Sequence, residues 1–200
     1  VGYFAEVAAG RPIHEGTLRA DARFGAIRRG STRQITLLLA AVGATVVALV
    51  ELTVGPYLRV GGAQPHLVLV VGIIVTVAMG LETGLVWAFV GGLALDVLAQ
   101  RPLGSSAFAL LLCTGATDIL GRIFLRVRPL VPVIATALLS IVYSMVLFIA
   151  LNALAAPIPV SDPVSLVTPG AVYDLVLAAL IGPLVIWIHD RRVAPDRLAW

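Results

Sequence analysis

The chain has 200 residues, 60% of them hydrophobic and only 12% charged, where an ordinary soluble domain carries about 25% charged residues. A water-soluble core cannot absorb that apolar share at this length, because small domains keep much of their surface wet. The mean hydropathy of +1.02 therefore points to a bilayer as the solvent. A net charge of +3, with arginine supplying every cation, is too small to suggest nucleic acid, and the single Cys113 excludes a disulfide framework or a thiolate metal site.

Residues 1–34 are polar, Gly- and Arg-containing, and hold no continuous apolar run. They are expected to form a flexible cytoplasmic arm, with the first membrane helix itself directing insertion. A spanning helix needs roughly 20 mostly apolar residues. The runs 35–58, 84–99, 104–121, 130–156 and 171–188 meet or approach that length, and a sixth, 65–80 ("PHLVLVVGIIVTVAMG"), is short. Prolines 56, 65, 102, 129, 157, 159, 163 and 169 fall at or between the edges of these runs, where helices stop or start. Pro183, after Gly182, lies inside the last run and predicts a kink there. The stretch 157–170 reads as an exposed outer loop, with Thr168 as N-cap and Pro169 as the first helical position of the last span.

Arginine placement decides whether the short run crosses, because cytoplasmic loops are enriched in basic residues. With six crossings and the N-terminus inside, twelve arginines fall on the cytoplasmic side and two, Arg59 and Arg101, outside. If 65–80 does not cross, the division becomes seven and seven and the asymmetry vanishes. The expectation is an all-α integral membrane protein. It comprises a six-helix transmembrane bundle over 35–190, a cytoplasmic tail at 191–200, and both termini in the cytoplasm. The short second helix is expected to leave the bilayer locally thin or to pack deep inside the bundle.

Membrane helices associate through small residues that let backbones approach. Gly80, Gly84, Ala88, Gly92 and Asp96 recur every four residues, as do Ser105, Ala109, Cys113, Thr117 and Gly121 in the next helix. Ala40, Ala44 and Ala48, and Thr136, Ser140 and Ser144, draw similar stripes. These ridges predict close helix packing or a surface for a partner helix. A carboxylate inside a membrane segment costs about 2.5–3.5 kcal/mol at the centre and seeks a partner. Glu51, Asp96 and Asp174 all fall in the outer parts of their helices, near Arg59 and Arg101. An outer polar cluster of Glu51, Asp96 and Asp174 with Arg59 or Arg101 is the natural pairing, and Asp96 can also accept hydrogen bonds from the turn "QRPLGSS". At the inner side, Asp118, Arg122 and Arg126 share one helix face with the favourable acid-before-base order.

Catalytic signatures are missing. There is no H-E-x-x-H helix, no G-x-S-x-G elbow and no phosphate loop. His14, His66 and His189 fall on different segments, so no shared metal site is expected. A serine–histidine pairing would need His66 at the depth of Ser105 or Ser106. No catalytic residue, metal or cofactor is expected, which leaves a non-catalytic polytopic protein or a small transporter.

The stretch "GLVWAFVGGLALDVLAQRPLGSSAFAL", 84–110, resembles the rod shape-determining protein MreD family. Ala88, Gly92, Leu93 and Asp96 match its Gly-x-x-x-Gly-Leu-x-x-Asp-like segment, with Ala for the first Gly. Leu103 and Gly104 match the Leu-Gly that opens the next helix, and Pro65 matches a proline opening the second. His66 departs from the acid or amide that often follows that proline. The resemblance implies a multi-pass scaffold of the bacterial inner membrane in the cell-elongation machinery, which builds peptidoglycan. Its implied partners are MreC, a RodA-type glycosyltransferase and its transpeptidase partner, besides membrane lipids. It also implies a fold similar to that of the substrate-binding S components of small-solute transporters. Those dock a coupling subunit through an Ala-x-x-x-Ala ridge, and Ala40, Ala44 and Ala48 have that spacing, so a vitamin-binding S component is the competing reading.

Overall fold

The long apolar runs lack the strict alternation of half-buried strands, and in a bilayer a helix satisfies its own backbone groups. The computed structural model describes residues 15–58, 64–123, 131–154 and 163–193, and α-helices dominate them. The helices are α1 Glu15–Val54, α2 Leu67–Met79, α3 Leu81–Leu98, α4 Ser105–Ile123, α5 Val131–Leu154 and α6 Pro163–Val193; a 3-10 turn, Gly55–Leu58, follows α1. The chain divides into two units, Val1–Leu38 and Leu39–Trp200, with the boundary inside α1.

Among the described residues, four stretches are long and apolar enough to cross a membrane: Arg33–Leu58, Leu81–Leu98, Ser105–Ile123 and Val133–Leu154. Leu67–Met79 is apolar but shorter, whereas the helix of the last span, Pro163–Val193, has 31 residues, length enough to cross. Two sequence expectations change. Residues 15–34, expected as a flexible arm, are helical; they contain no proline, and Ala, Leu and Arg are good helix formers. The helix of the last span starts at Pro163, not at Pro169, and both Pro169 and Pro183 lie within it. Pro163 meets the rule for a first helical position, where the missing N–H costs nothing, so residues 163–170 are not loop.

α2 is the centre. Its 13 residues rise only about 20 Å, yet it packs against α3, α4, α5 and α6. Val68, Leu69, Val70, Gly72, Ile73, Ile74 and Thr76 are buried, so α2 packs deep within the bundle. One core joins Ala40, Ala44 and Ala48 of α1 to Leu69 and Ile73 of α2, Trp87 and Leu95 of α3, Ala109 and Cys113 of α4, and Leu139 and Tyr143 of α5. A smaller core joins Val70 and Ile74 to Ala178 of α6. The Trp87 ring lies over Gly43 and Gly72, and its Nε1–H donates to the Val68 carbonyl at 3.1 Å.

The glycines of α3 are where backbones meet. A Cβ on Gly92 would collide with the backbone nitrogen and Cα of Ala107 in α4, and one on Gly84 with the Thr76 hydroxyl of α2. Gly80 is different: it is the one-residue joint between α2 and α3, at φ 97°, with open space around it. Gly104 likewise has φ 95° and nothing near its missing Cβ. Both serve turns that side chains disfavour, not packing.

Because the obstacle at Gly92 is backbone, Gly92→Ala is expected to lower stability by about 1–3 kcal/mol, the usual cost of overpacking. Gly115→Ala, in open space on α4, is expected to be neutral or to stabilise by about 0.5–1 kcal/mol through helix propensity. Thermal unfolding of the two variants in the same detergent compares them. Equal midpoints would rule out a tight α3–α4 seam.

Candidate functional site

The first N–H groups of a helix have no partner within it, and water is not there to help inside a bilayer. In α2 and α4 these groups are taken by carboxylates from other helices. Asp174 Oδ1 of α6 accepts from the N–H of His66, the N-cap of α2, at 2.7 Å. Glu51 Oε2 of α1 accepts from the Val68 N–H at 2.7 Å. Asp96, at the end of α3, accepts from the N–H groups of Gly104 at 2.8 Å and Ser106 at 2.9 Å, and from the Ser105 hydroxyl at 3.0 Å. The acids also sit at the positive ends of the two helix dipoles.

Asp174 does more than cap. Its Oδ2 lies 2.8 Å from His66 Nδ1 and accepts from the Ser140 hydroxyl of α5. The His66 ring stands edge-on to Tyr143 of α5, with centroids 5.1 Å apart. The Tyr143 hydroxyl in turn pairs with the Ser106 side chain. Arg101, half-buried in the α3–α4 turn, points Nη1 at the Ser106 hydroxyl from 3.5 Å. Asp96 and Asp174 are wholly buried.

The structure thus gathers Glu51, Asp96, Asp174 and Arg101 at one end of the bundle. Their direct partners among the described residues are backbone N–H groups, hydroxyls and His66; Arg59 lies outside the described residues. Sequence reasoning left His66, Ser106, Ser140 and Tyr143 out of the cluster. The available signal was the helix start at Pro65–His66, whose free N–H groups need acceptors at that depth. Gly84, Ala88, Gly92, Ala40 and Ala44 are buried within the chain, so they pack its own helices. The Thr136 hydroxyl, also buried, has no partner among the described residues. At the far end, Asp118 and Arg122 pair at 2.8 Å in the expected i,i+4 geometry.

Ser105 bonds to Asp96, while the His66 ring bonds to Asp174, so serine and histidine are not paired as nucleophile and base. No group of three or more metal-ligating side chains occurs among the described residues.

Asp96→Leu would leave the buried N–H groups of Gly104 and Ser106 without their acceptor. The expected cost is about 2–3 kcal/mol, with Asp96→Asn in between, since its amide oxygen can cap one group. Unfolding midpoints read the order. A midpoint for Asp96→Leu equal to wild type would show that water, not the carboxylate, satisfies this helix start.

Comparison with known proteins places this architecture. The family model for the rod shape-determining protein MreD matches residues 31–189, which takes in the glycine seam, the three capping acids and the α2 start. No curated protein and no solved structure matches the chain. Matched over most of its length, the chain belongs to the MreD family: it is a non-catalytic, multi-pass membrane protein that takes part in rod-shape determination.

Proposed function

We propose that the protein is a scaffold of the bacterial cell-elongation complex, seated in the inner membrane and associating with MreC. Through MreC it serves a RodA-type glycosyltransferase and its transpeptidase partner. The family match over residues 31–189 carries this reading. The arrangement of the polar side chains supports it: Glu51, Asp96 and Asp174 are engaged in closing helix ends, which suits a rigid platform better than a substrate pocket. Residues 35–190 form the membrane domain, 1–34 the cytoplasmic arm and 191–200 the cytoplasmic tail. All six apolar segments cross, including the short Leu67–Met79, because that topology keeps twelve of the fourteen arginines inside. Burial among its neighbours relieves α2 of matching the bilayer thickness.

Two experiments test this. Reporters fused after residues 127 and 195 are expected to read cytoplasmic, and one after 163 exterior; an exterior signal at 127 overturns the topology. In the native host, a tagged chain is expected to co-purify with MreC, and its depletion to turn rods into spheres. Cells that keep their rod shape while losing uptake of a solute, with the chain bound to an ATPase, would overturn the scaffold in favour of a transporter subunit.

A further inference from the structure

We propose that His66 and Asp174 form a proton-operated latch, which ties the start of α2 to α5 and α6 more tightly when the imidazole is protonated. The geometry has three parts. Asp174 holds His66 twice, through the backbone N–H at 2.7 Å and through Nδ1 at 2.8 Å. The same carboxylate accepts from Ser140, so a single buried group joins α2, α5 and α6. The His66 side chain keeps 24% of its surface exposed while Asp174 has none, which gives protons a way in without exposing the acid.

An Nδ1–H pointing at Asp174 exists in both the neutral tautomer and the imidazolium, so the hydrogen bond survives deprotonation. Protonation at Nε2 adds charge and turns a hydrogen bond into an ion pair. The groups facing the ring come from every neighbouring element. Glu51 of α1 and Asp174 of α6 favour the charge. Arg101 of the α3–α4 turn opposes it, as does the positive end of α2 itself. Tyr143 of α5 stands against the ring edge.

Burial works against the imidazolium most strongly of all, but the hydrogen bond and charge of Asp174, with Glu51, outweigh it and lift the pKa of His66, which precedes α2, above its ordinary value. A folded-state pKa above the unfolded one adds stability that is complete below the unfolded pKa and is lost as pH rises through the folded pKa. The latch is closed in mild acid and slack in mild alkali. On the proposed topology it faces the exterior, where pH follows the medium; its physics does not depend on that topology.

The test uses the purified full chain in detergent micelles. Between pH 6 and pH 8.5 the wild-type midpoint is expected to fall by roughly 2–4 °C more than that of His66→Gln. Glutamine keeps a donor and the backbone bond but cannot take up a proton. Independently of how that variant folds, the full-length double variant His14→Gln, His189→Gln leaves His66 as the one histidine. Its ring 15N signals are expected to titrate above about 6.5. Equal pH dependence in wild type and His66→Gln overturns the latch, and so does a ring that titrates at or below the ordinary value. Both readouts are made on the isolated protein, so loss of MreC binding or of rod shape in cells would bear on the scaffold reading alone.

Discussion

The structure depends on one constraint: a helix that starts buried inside a packed bundle has backbone N–H groups that its own carbonyls cannot satisfy and that need acceptors from the protein. α2 and α4 both start this way, and in both the N-cap and N2 N–H groups are taken by carboxylates from elsewhere in the fold. That explains why so apolar a chain keeps Glu51, Asp96 and Asp174. An acid here does not waste solvation as it would facing lipid, because it exchanges water for protein donors, one at Glu51 and three each at Asp96 and Asp174, and for a helix dipole. It also fixes geometry, since a carboxylate pinned by two N–H groups sets the position of both helices it joins.

The short α2 follows from the same constraint. A helix of about 20 Å with its start among the acids is enclosed by neighbours, and its apolar side chains pack inside the protein, not only against lipid. Lipid offers helices no hydrophobic reason to associate, so contact distance and polar ties decide the arrangement. Glycine at 84 and 92 supplies the first, by letting α3 reach Thr76 on one neighbour and the Ala107 backbone on another. Trp87 supplies both at once, covering Gly72 and donating to Val68.

Much of this is visible in the sequence. Composition alone requires helices in a membrane, and the four-residue spacing of Gly84, Ala88 and Gly92 marks the face that is buried. Spacing does not say what each small residue is for. Gly80 fits the same series yet is a joint at positive φ, because periodicity cannot tell the last residue of a ridge from the hinge beyond it. The acids were legible as a group at one depth, but their partners were not. Opposite charges attract attention in a sequence, whereas backbone N–H groups, which every helix start carries, are invisible in it. A lone histidine carries no pattern that ties His66 to the acids; only the fold brings Asp174, 108 positions away, to its ring.

The α5 stripe shows why small polar residues should be read as packing first and chemistry second. Thr136 and Ser140 are one turn apart and equally buried, so position on the helix gives them the same environment in outline. Ser140 meets Asp174 and donates to it, while the Thr136 hydroxyl meets no acceptor among the described residues. What they share is size: each allows α5 to approach its neighbours, and a larger residue at either place would hold the helices apart. The hydrogen bond is an addition made where an acid was already needed for another purpose. The direction of cause therefore runs from the helix start of α2 to Asp174, from Asp174 to Ser140, and only then to the register of α5 against α6.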